Sequence, residues 1–364
     1  MLVTDWCPQS SAKQRQGRAG RVQPGVCLKL YSLATAESIM KATNEPELRR
    51  VPLEEICMSI LASGFAKSCM DFLNQAPQPP PKESVQAAVD VLYDVGAIGR
   101  IGADDAEKSE YLTPLGIHLS KLPVDVKLGK ILIFGALFQC IDPILTVAAS
   151  LSSKSPFSAF IGDAAVAKAK QRIFTDSDSD FMTYCNVWDA YEAAGSASRR
   201  FCQENFLNHA ALREIGDARR QFLDLLCGIG FLDRNTVIGN GSRVAQKTLK
   251  SCRFNQHAKR MEVVHAVICA GLYPNILRLE QSSSTNYSMW HKNERIYFHK
   301  ASVNATKKKF SSTENWVVFH EKFGTPNRTS VSTTAFVHPF ALLLFGGTVL
   351  VKHTERTVIV DNWM

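Results

Sequence analysis

The hydrophobic pattern of the sequence changes its period once, at Pro274, and this change constrains the fold more than any other feature. Before Pro274, apolar residues recur at helical spacing through most of residues 45–273. After it, short runs rich in β-branched and aromatic residues are separated by Gly, Ser, Asn and Pro. Several short strands in the remaining part of the chain predict a small barrel, and an OB-fold fits. The sequence therefore predicts a multidomain α+β protein.

Residues 45–119 predict a winged-helix domain. The first of its helices has one apolar face, formed by Leu53, Ile56, Cys57, Ile60 and Leu61. A proline-rich connector at residues 77–81 precedes a second helix, which ends near Gly96. The apolar positions of this second helix are Val85, Ala88, Val89 and Leu92. Two short strands, at 98–101 and 111–113, flank a polar loop suited to a β-wing.

Residues 120–273 predict a helical bundle, and residues 274–364 predict the barrel. In the bundle, Asp142 and Pro143 predict a capped helix start, and Gly228-Ile229-Gly230 closes the last long helix. Further helices are expected at 164–174, 180–194 and 208–227. Strands of the barrel are expected at 276–279, 295–299, 316–320, 331–337, 341–345, 348–352 and 357–360.

Charge and cysteine content indicate an intracellular protein with a polyanionic partner. The net charge of +8 is modest, but residues 234–261 and 295–313 contain no Asp or Glu and several Lys and Arg. Ten cysteines lack the spacing of a zinc site or a disulfide framework, so no metal is predicted. No apolar run is long enough for a bilayer, so a membrane partner is excluded and a cytoplasmic location, with the nucleus left open, is expected.

Residues 11–21, Ser-Ala-Lys-Gln-Arg-Gln-Gly-Arg-Ala-Gly-Arg, carry the clearest chemical signal. Ser11 and Gln14 have the spacing of a capping box, which predicts a helix start. In that helix Gln14, Arg18 and Arg21 share one face. Gly17 and Gly20 are unfavourable helix residues, so they indicate that a ligand approaches the backbone. Permanent cations beside such an approach suit a polyphosphate.

This string resembles the sixth motif of superfamily 2 helicases, Gln-Arg-x-Gly-Arg-x-Gly-Arg, at every specified position. Further stretches resemble the DEAH/DExH-box RNA helicases, in the branch of RNA helicase A, over essentially the whole chain. They are Pro24-Gly25-Val26-Cys27-Leu28-Lys29-Leu30-Tyr31, Leu112-Thr113-Pro114-Leu115-Gly116, Asn205-Phe206-Leu207, Val318-Phe319-His320-Glu321-Lys322 and Leu342-Leu343-Leu344-Phe345-Gly346-Gly347. One departure is His299-Lys300-Ala301-Ser302-Val303, where that branch often has His-Pro-Ser-Ser-Val.

The resemblance implies that residues 1–44 end a RecA-like domain, with a helix and a strand at 26–31. One helix and one strand cannot cover both faces of a parallel sheet. The other strands of this domain are therefore expected upstream, either in a longer protein or in sequence that a truncated gene prediction leaves out. The 45–119, 120–273 and 274–364 regions would be the winged-helix, ratchet-like and OB-fold domains. The implied function is the C-terminal part of an ATP-dependent RNA helicase.

The resemblance also implies a nucleotide site shared between two helicase lobes. Arg18 and Arg21 would act as arginine fingers on the γ-phosphate of ATP, with Gly17 beside them. Gln14 would hold that phosphate or orient the attacking water, unless it only caps the helix. The chain contains neither G-x-x-x-x-G-K-[ST] nor Asp-Glu-x-His, so the absent upstream lobe would hold Mg²⁺. The chain alone is therefore predicted to lack ATPase activity.

Single-stranded RNA is the second implied ligand. The candidate contacts are Arg213 and Arg220, seven residues apart on one predicted helix, and His299, Lys300, Ser302 and Lys322 in the barrel. Asp176, Asp178 and Asp180 imitate an EF-hand start but lack its glycine and final glutamate, so a helix-capping role is expected. A stand-alone adaptor for RNA or protein, and a catalytically inactive helicase-like scaffold, remain alternatives. Protein activators are a further class of partner.

Overall fold

The computed structural model describes residues 5–101, 109–157, 166, 170–176, 178–235, 249, 253–281, 287–307, 315–325 and 328–364. The chain forms two compact units, Met1–Val89 and Asp90–Met364, and the boundary falls within one helix. No helix in the described ranges has the length and hydrophobicity needed to cross a membrane.

The first unit is helical in its described part. Its helices are α1 (Gln9–Ala19), α2 (Leu33–Ser38), α3 (Glu54–Ser63), α4 (Cys69–Leu73) and the first half of α5 (Lys82–Val95). In α3 the predicted apolar face is buried at Cys57 and Ile60. The four predicted apolar positions of α5 are all buried.

Two predictions for the first unit are wrong. Helix α1 follows Pro8 and begins at Gln9, so Ser11 lies inside the helix and does not cap it. The first amide groups bond instead to the main chain, from Gln9 N to Lys41 O at 2.9 Å and from Ser10 N to Ala42 O at 3.0 Å. Residues 26–31 form no strand, because no described segment offers them a pairing partner.

In the second unit, the end of α5 leads into the predicted hairpin. Strands β1 (Ile98–Ile101) and β2 (Ser109–Leu112) pair antiparallel, and helix α6 (Pro114–Leu119) follows. Thr113 caps α6 by accepting a bond from Gly116 N at 3.1 Å. Gly116 faces the main chain so closely that a Cβ atom there would lie 1.9 Å from Ala97 O. Of the loop expected at 102–110, residues 102–108 lie outside the described residues, and Ser109 and Glu110 belong to β2.

The bundle contains most of the predicted helices. They are α7 (Val126–Leu137), α8 (Ile141–Ser152), α9 (Asp180–Ala194), α10 (Ser198–Glu204), α11 (His209–Gly228) and α12 (Met261–Leu272). The predictions at 180–194 and 208–227 are confirmed. Of the helix expected at 164–174, residues 164, 165 and 167–169 lie outside the described residues, and Arg172–Phe174 form a 3-10 turn. Asp142 is not a cap: Cys140 precedes the helix, and Asp142 lies in the first turn of α8.

The predicted barrel is confirmed as a closed five-stranded barrel. Its strands are β3 (Ile276–Gln281), β4 (Tyr287–His291), β5 (Glu294–Phe298), β6 (Trp316–Thr325) and β7 (Arg328–Phe336), in the order β3-β4-β5-β7-β6. Among the described strand pairs of the barrel, β5 and β7 are the parallel pair. Its interior is apolar, with Leu277, Met289, Ile296, Val317 and Phe319 among the buried side chains.

The C-terminal part differs from the prediction in one element. Residues 341–345 form no strand; they belong to helix α13 (Pro339–Phe345), which His338 caps by accepting a bond from Phe340 N at 3.3 Å. The last two predicted strands are present as a separate hairpin of β8 (Val349–Lys352) and β9 (Thr357–Val360).

Candidate nucleotide and nucleic-acid sites

The arginine motif lies on and just beyond α1. Gln14 and Arg18 are four residues apart on the helix and share a face, but Arg21 lies past the helix end at Gly20. The predicted common helical face of all three residues is therefore wrong. The loop that carries Arg21 returns to the helix, since a Cβ atom at Gly25 would lie 2.0 Å from Ala19 O.

All three motif side chains are exposed, and within the described ranges none of them has a hydrogen bond or an ion pair. A methyl group added at Gly17 would meet no atom within 4 Å, so packing in the described part of the chain does not require glycine there. Two guanidinium groups and an amide thus lie beside an open stretch of backbone. Such a surface can bind a phosphate group through charge-assisted hydrogen bonds.

Arg213 and Arg220, the two arginines predicted on the bundle, line one groove of about 560 Å³. Residues of α11 line the groove together with Arg234, whose Nη2 lies 3.0 Å from Oδ1 of Asp224, another lining residue. The floor is apolar and aromatic; it includes Leu145, Trp188, Tyr191 and Leu212. Arg220 is paired with Asp217, whereas Arg213 has no ion pair within the described residues. A groove with cations above aromatic rings can hold an unpaired nucleic-acid strand.

A third arginine of α11, Arg219, was not predicted to matter, and it is buried in the bundle. Its Nη2 lies 2.6 Å from Asp142 Oδ1, and its Nη1 donates to Asp142 O at 2.8 Å and to Thr146 Oγ1. The guanidinium also lies over the ring of Trp188, 4.9 Å from its centroid. Arg219 therefore ties α11 to α8 beneath the groove and orients the aromatic floor.

The barrel contributes a second set of candidate contacts around the end of β5. Lys300 is exposed and His299 is half-buried. Ser302 is only 5% exposed and donates from Oγ to Asp180 Oδ2 at 2.7 Å, so its hydroxyl is already engaged inside the protein. Lys322 lies on β6 and pairs with Glu294, with Nζ 2.5 Å from Oε2. Of these candidates, Lys300 is exposed, and His299 uses Nδ1 for a bond from Ala301 N at 3.3 Å, which leaves its Nε2 atom without a bond among the described residues.

Asp176, Asp178 and Asp180, the three acidic residues for which the sequence predicts a capping role, all have partners within the protein. Ser179 caps α9, and Asp180 follows in its first turn. Asp180 accepts bonds from the barrel, and Asp178 Oδ1 lies 2.5 Å from Lys307 Nζ. The predicted capping by the carboxylates is therefore wrong, because the Ser179 hydroxyl caps the helix; the carboxylates of Asp178 and Asp180 bind the barrel segments.

Three domain families match the second unit. Residues 88–124 match the helicase-associated domain (HA2), winged-helix, and residues 125–184 match the helicase-associated domain (HA2), ratchet-like. Residues 264–349 match the oligonucleotide/oligosaccharide-binding (OB)-fold. The order of the three is the order of the hairpin, the bundle and the barrel along the chain. Together they define a helicase-associated module.

Relatives over the whole chain specify the class further. The chain is 35% identical to the chloroplastic DExH-box ATP-dependent RNA helicase DExH4 of Arabidopsis thaliana over 393 residues, covering 100% of the chain and 27% of the relative. It is 34% identical to the ATP-dependent DNA/RNA helicase DHX36 of Homo sapiens, again over 100% of the chain and 35% of the relative. The identity to the ATP-dependent RNA helicase dhx29 of Xenopus laevis is 35%, over 100% of the chain and 26% of the relative.

The chain belongs to the DExH-box helicases and corresponds to their C-terminal portion. It spans about a quarter to a third of the length of these curated relatives.

Proposed function

We propose that this chain supplies the arginine side of an ATP site and the accessory nucleic-acid surface of an ATP-dependent RNA helicase. The observation that supports it best is the state of Gln14, Arg18 and Arg21. They stand in a complete helicase motif, and in the described part of the chain their side chains are exposed and without partners. Exposed arginines beside an open stretch of backbone are suited to bind a ligand that the other helicase lobe holds with most of its contacts.

Phosphoryl transfer depends mostly on positioning and on charge stabilisation. Arg18 and Arg21 would neutralise charge on the γ-phosphate as the bond to the leaving group breaks, and Gln14 would orient the attacking water. Lysine could not replace them well, because the two parallel bonds of a guanidinium would be lost. Mg²⁺ would neutralise further charge on the phosphates, and we assign its ligands to the other lobe of the helicase.

The ATP proposal is tested in the full-length protein that contains this chain. Arg18→Ala and Arg21→Ala should each lower kcat for RNA-stimulated ATP hydrolysis by about 10³-fold or more. Lys13→Ala is the matched control, because Lys13 is exposed on another part of the α1 surface, lies outside the motif and should leave kcat nearly unchanged. The 364-residue chain by itself should show no ATP turnover. Equal losses for all three variants, or turnover by the chain alone, would refute the proposal.

The nucleic-acid part of the proposal joins the bundle groove to the barrel. Arg213 and Arg220 would contact phosphates, and Trp188 and Tyr191 would form an apolar floor for bases. His299 and Lys300 would contact the same strand at the barrel, with Lys322 nearby. These contacts favour a single strand, because aromatic floors and cation tracks bind unpaired bases and phosphates without sequence preference.

An oligouridine titration of the chain, followed by fluorescence anisotropy, tests this surface. Affinity should fall steeply between 50 and 200 mM salt, because each phosphate contact releases counterions. Arg213→Ala together with Arg220→Ala should weaken binding and flatten the salt dependence. Arg200→Ala is the control, since Arg200 is exposed on α10 and pairs with Glu204 at 2.7 Å. No binding at 50 mM salt would contradict the proposal, and oligothymidine in parallel reports selectivity for RNA.

A stand-alone nucleic-acid adaptor is the second candidate. The chain has a closed OB barrel and a cationic groove but no phosphate loop, so it could bind RNA without hydrolysing ATP. Full RNA affinity in a protein of this length, together with the absence of a longer product in cells, would favour the adaptor over the helicase.

A further inference from the structure

We infer that Asp180 is a positioning residue for nucleic-acid binding, acting on the loop that carries His299 and Lys300. This inference rests on the proposed function of that loop. Asp180 belongs to the bundle, at the start of α9, yet it is 7% exposed and its carboxylate faces the barrel. It therefore joins two domains at a point next to a candidate RNA contact.

The carboxylate of Asp180 binds donors from two segments of the barrel. Oδ1 accepts from Val303 N at 2.9 Å, and Oδ2 accepts from Ser302 Oγ at 2.7 Å. The same Oδ2 accepts from Thr334 N at 2.8 Å and lies 3.1 Å from Thr334 Oγ1. Hydrogen bonds to a buried carboxylate are among the strong ones, so this cluster holds the segment after β5 against β7 and α9.

The loop between β5 and this cluster is fixed at both ends. At its start, His299 N donates to Val331 O at 2.8 Å. At its end, Ser302 N donates to His299 O at 2.9 Å, and the Ser302 side chain is bound to Asp180. Lys300, between them, is exposed. The direction in which Lys300 leaves the barrel is thus determined by bonds that Asp180 completes.

The same loop favours one tautomer of the His299 ring. Ala301 N donates to His299 Nδ1 at 3.3 Å, so the proton of the neutral ring is on Nε2. The Nε2–H group is then a donor for a phosphate or base oxygen. If the loop loosened, the bond from Ala301 would be lost and this preference would disappear.

A positioning role and a purely electrostatic effect predict opposite changes in the affinity for nucleic acid when Asp180 is mutated. A carboxylate near a phosphate track repels the strand, so removing its charge should strengthen binding if charge alone matters. If Asp180 positions the loop, Asp180→Asn should weaken binding, because an amide cannot accept all the donors that meet at the carboxylate.

The matched control is Asp178→Asn. Asp178 lies two residues earlier, just before α9, and carries the same charge, and its carboxylate forms an ion pair with Lys307, with Oδ1 2.5 Å from Nζ. The Asp178→Asn substitution removes one negative charge and breaks the ion pair with Lys307. Oligouridine binding by Asp178→Asn should be unchanged or tighter.

The experiment measures the Kd for oligouridine at 50 mM salt by fluorescence anisotropy, with a thermal melt for each protein. Asp180→Asn should raise Kd about fivefold, which corresponds to roughly 1 kcal/mol. In the Lys300→Ala and His299→Ala double background, the same substitution should change Kd by less than about twofold, because the positioned groups are absent. If Asp180→Asn does not fold, Thr334→Val is used; it removes one donor to the cluster and should weaken binding in the same direction.

The outcomes separate the two proposals. If the wild-type chain does not bind oligouridine, the proposed nucleic-acid function fails, and the inference fails with it. If the wild-type chain binds but Asp180→Asn, or in its place Thr334→Val, binds equally or more tightly, only the inference is overturned. An undiminished effect in the His299 and Lys300 double background would also overturn it, because Asp180 would then act through some other contact.

Discussion

Arg219 brings a positive charge into the interior of the bundle, and its partners decide what it contributes. Its side chain is 6% exposed and that of Asp142 is 18% exposed, so water screens the pair weakly. Three hydrogen bonds and the ring of Trp188 surround the guanidinium. Arg220, the next residue, is 72% exposed at its side chain and pairs with Asp217 on the surface. Arg219 and Arg220 therefore allow the contributions of a buried and an exposed ion pair to stability to be compared.

Arg219→Leu should lower the free energy of unfolding by about 3 kcal/mol, because it leaves Asp142 without its cation in a nearly buried position. Arg220→Leu should change it by about 1 kcal/mol or less, since exposed ion pairs contribute little. Urea denaturation of both variants checks the difference. Equal effects would show that the buried pair is not important for stability.

Lys130 is a second buried charge, and it should make stability depend on pH. Its Nζ donates to Val95 O at 2.8 Å, and the residue is 7% exposed. Burial lowers the pKa of Lys130 to about 8 from its ordinary 10.5, and the thiol of Cys269 opposes this only in part. The unfolded chain therefore binds more protons than the folded protein between these values. Stability should rise as pH increases through this window.

Lys130→Met should remove that dependence. From pH 7 to pH 9 the free energy of unfolding of the wild-type protein should increase relative to the variant by about 1 kcal/mol, since one pKa unit corresponds to 1.36 kcal/mol. Urea midpoints of both proteins at the two pH values give this difference. Buried thiols titrate in both proteins, so their contribution cancels. If the free energies of unfolding of the two proteins changed with pH by the same amount, Lys130 would not be the source of the pH dependence.

At the scale of elements, the helices were predicted well where local signals agree. Helix α9 matches residues 180–194, with Ser179 as its cap, and α11 begins after Asn208 and ends before Gly230, whose φ is +85°. Capping and periodicity are local properties, so the sequence contains them. The same is true of the hairpin β1–β2. Pairing partners are not local, which is why the strand expected at residues 26–31 is absent from the described first unit.

The error at α13 has a different cause. Residues 341–345 form a short apolar run, and such runs fit a buried strand and a buried helix equally. The deciding signal was present in His338 and Pro339, a capping side chain followed by proline at the first helical position. Strand β4 was missed, although Tyr287, Met289 and His291 alternate toward the barrel interior.

Helix packing gives a prediction at Gly271 of α12, which lies against α7. A Cβ atom there would be 2.1 Å from Ile131 Cγ1 and 3.0 Å from Ile131 N. Gly271→Ala should lower the free energy of unfolding by about 1–3 kcal/mol, because the main chain of α7 cannot move aside without cost. Gly228→Ala is the control: a Cβ atom there meets nothing within 4 Å, so helix propensity should leave stability equal or slightly higher. Urea denaturation checks both, and similar losses would contradict the packing argument.

For the molecule as a whole, the sequence predicted the module and the motif better than the supporting residues. Gln14, Arg18 and Arg21 could be proposed from the sequence because they belong to one contiguous motif. Arg219 was missed beside Arg213 and Arg220, although it occupies the apolar stripe of α11. The buried residues of that stripe are Leu212, Ile215, Arg219, Phe222 and Leu226. Asp180 could not be assigned, because its partners Ser302 and Thr334 are more than a hundred residues away along the chain.

Histidine distribution should make the two units respond differently to acid. All nine histidines belong to the unit Asp90–Met364, and none belongs to Met1–Val89. Burial lowers the pKa of His265, His291 and His320 below their ordinary 6.5. Near His265, the carboxylates of Asp176, Asp178 and Glu262 oppose the shift without reversing it. Below pH 6.5 the unfolded chain therefore takes up more protons, and the stability that the second unit has at pH 7 is lost as pH falls.

The second unit alone can be followed by fluorescence after Trp6→Phe, because the other tryptophans are Trp188, Trp290, Trp316 and Trp363. Its urea midpoint should be lower at pH 5.5 than at pH 7.5. In this background His320→Gln should reduce the difference, whereas His353→Gln, at an exposed position, should not. Asp94 has the opposite effect on stability at lower pH. Burial raises the pKa of its carboxyl, so the folded protein binds this proton more readily than the unfolded chain does. An unchanged pH dependence in His320→Gln would assign the acid sensitivity to other groups.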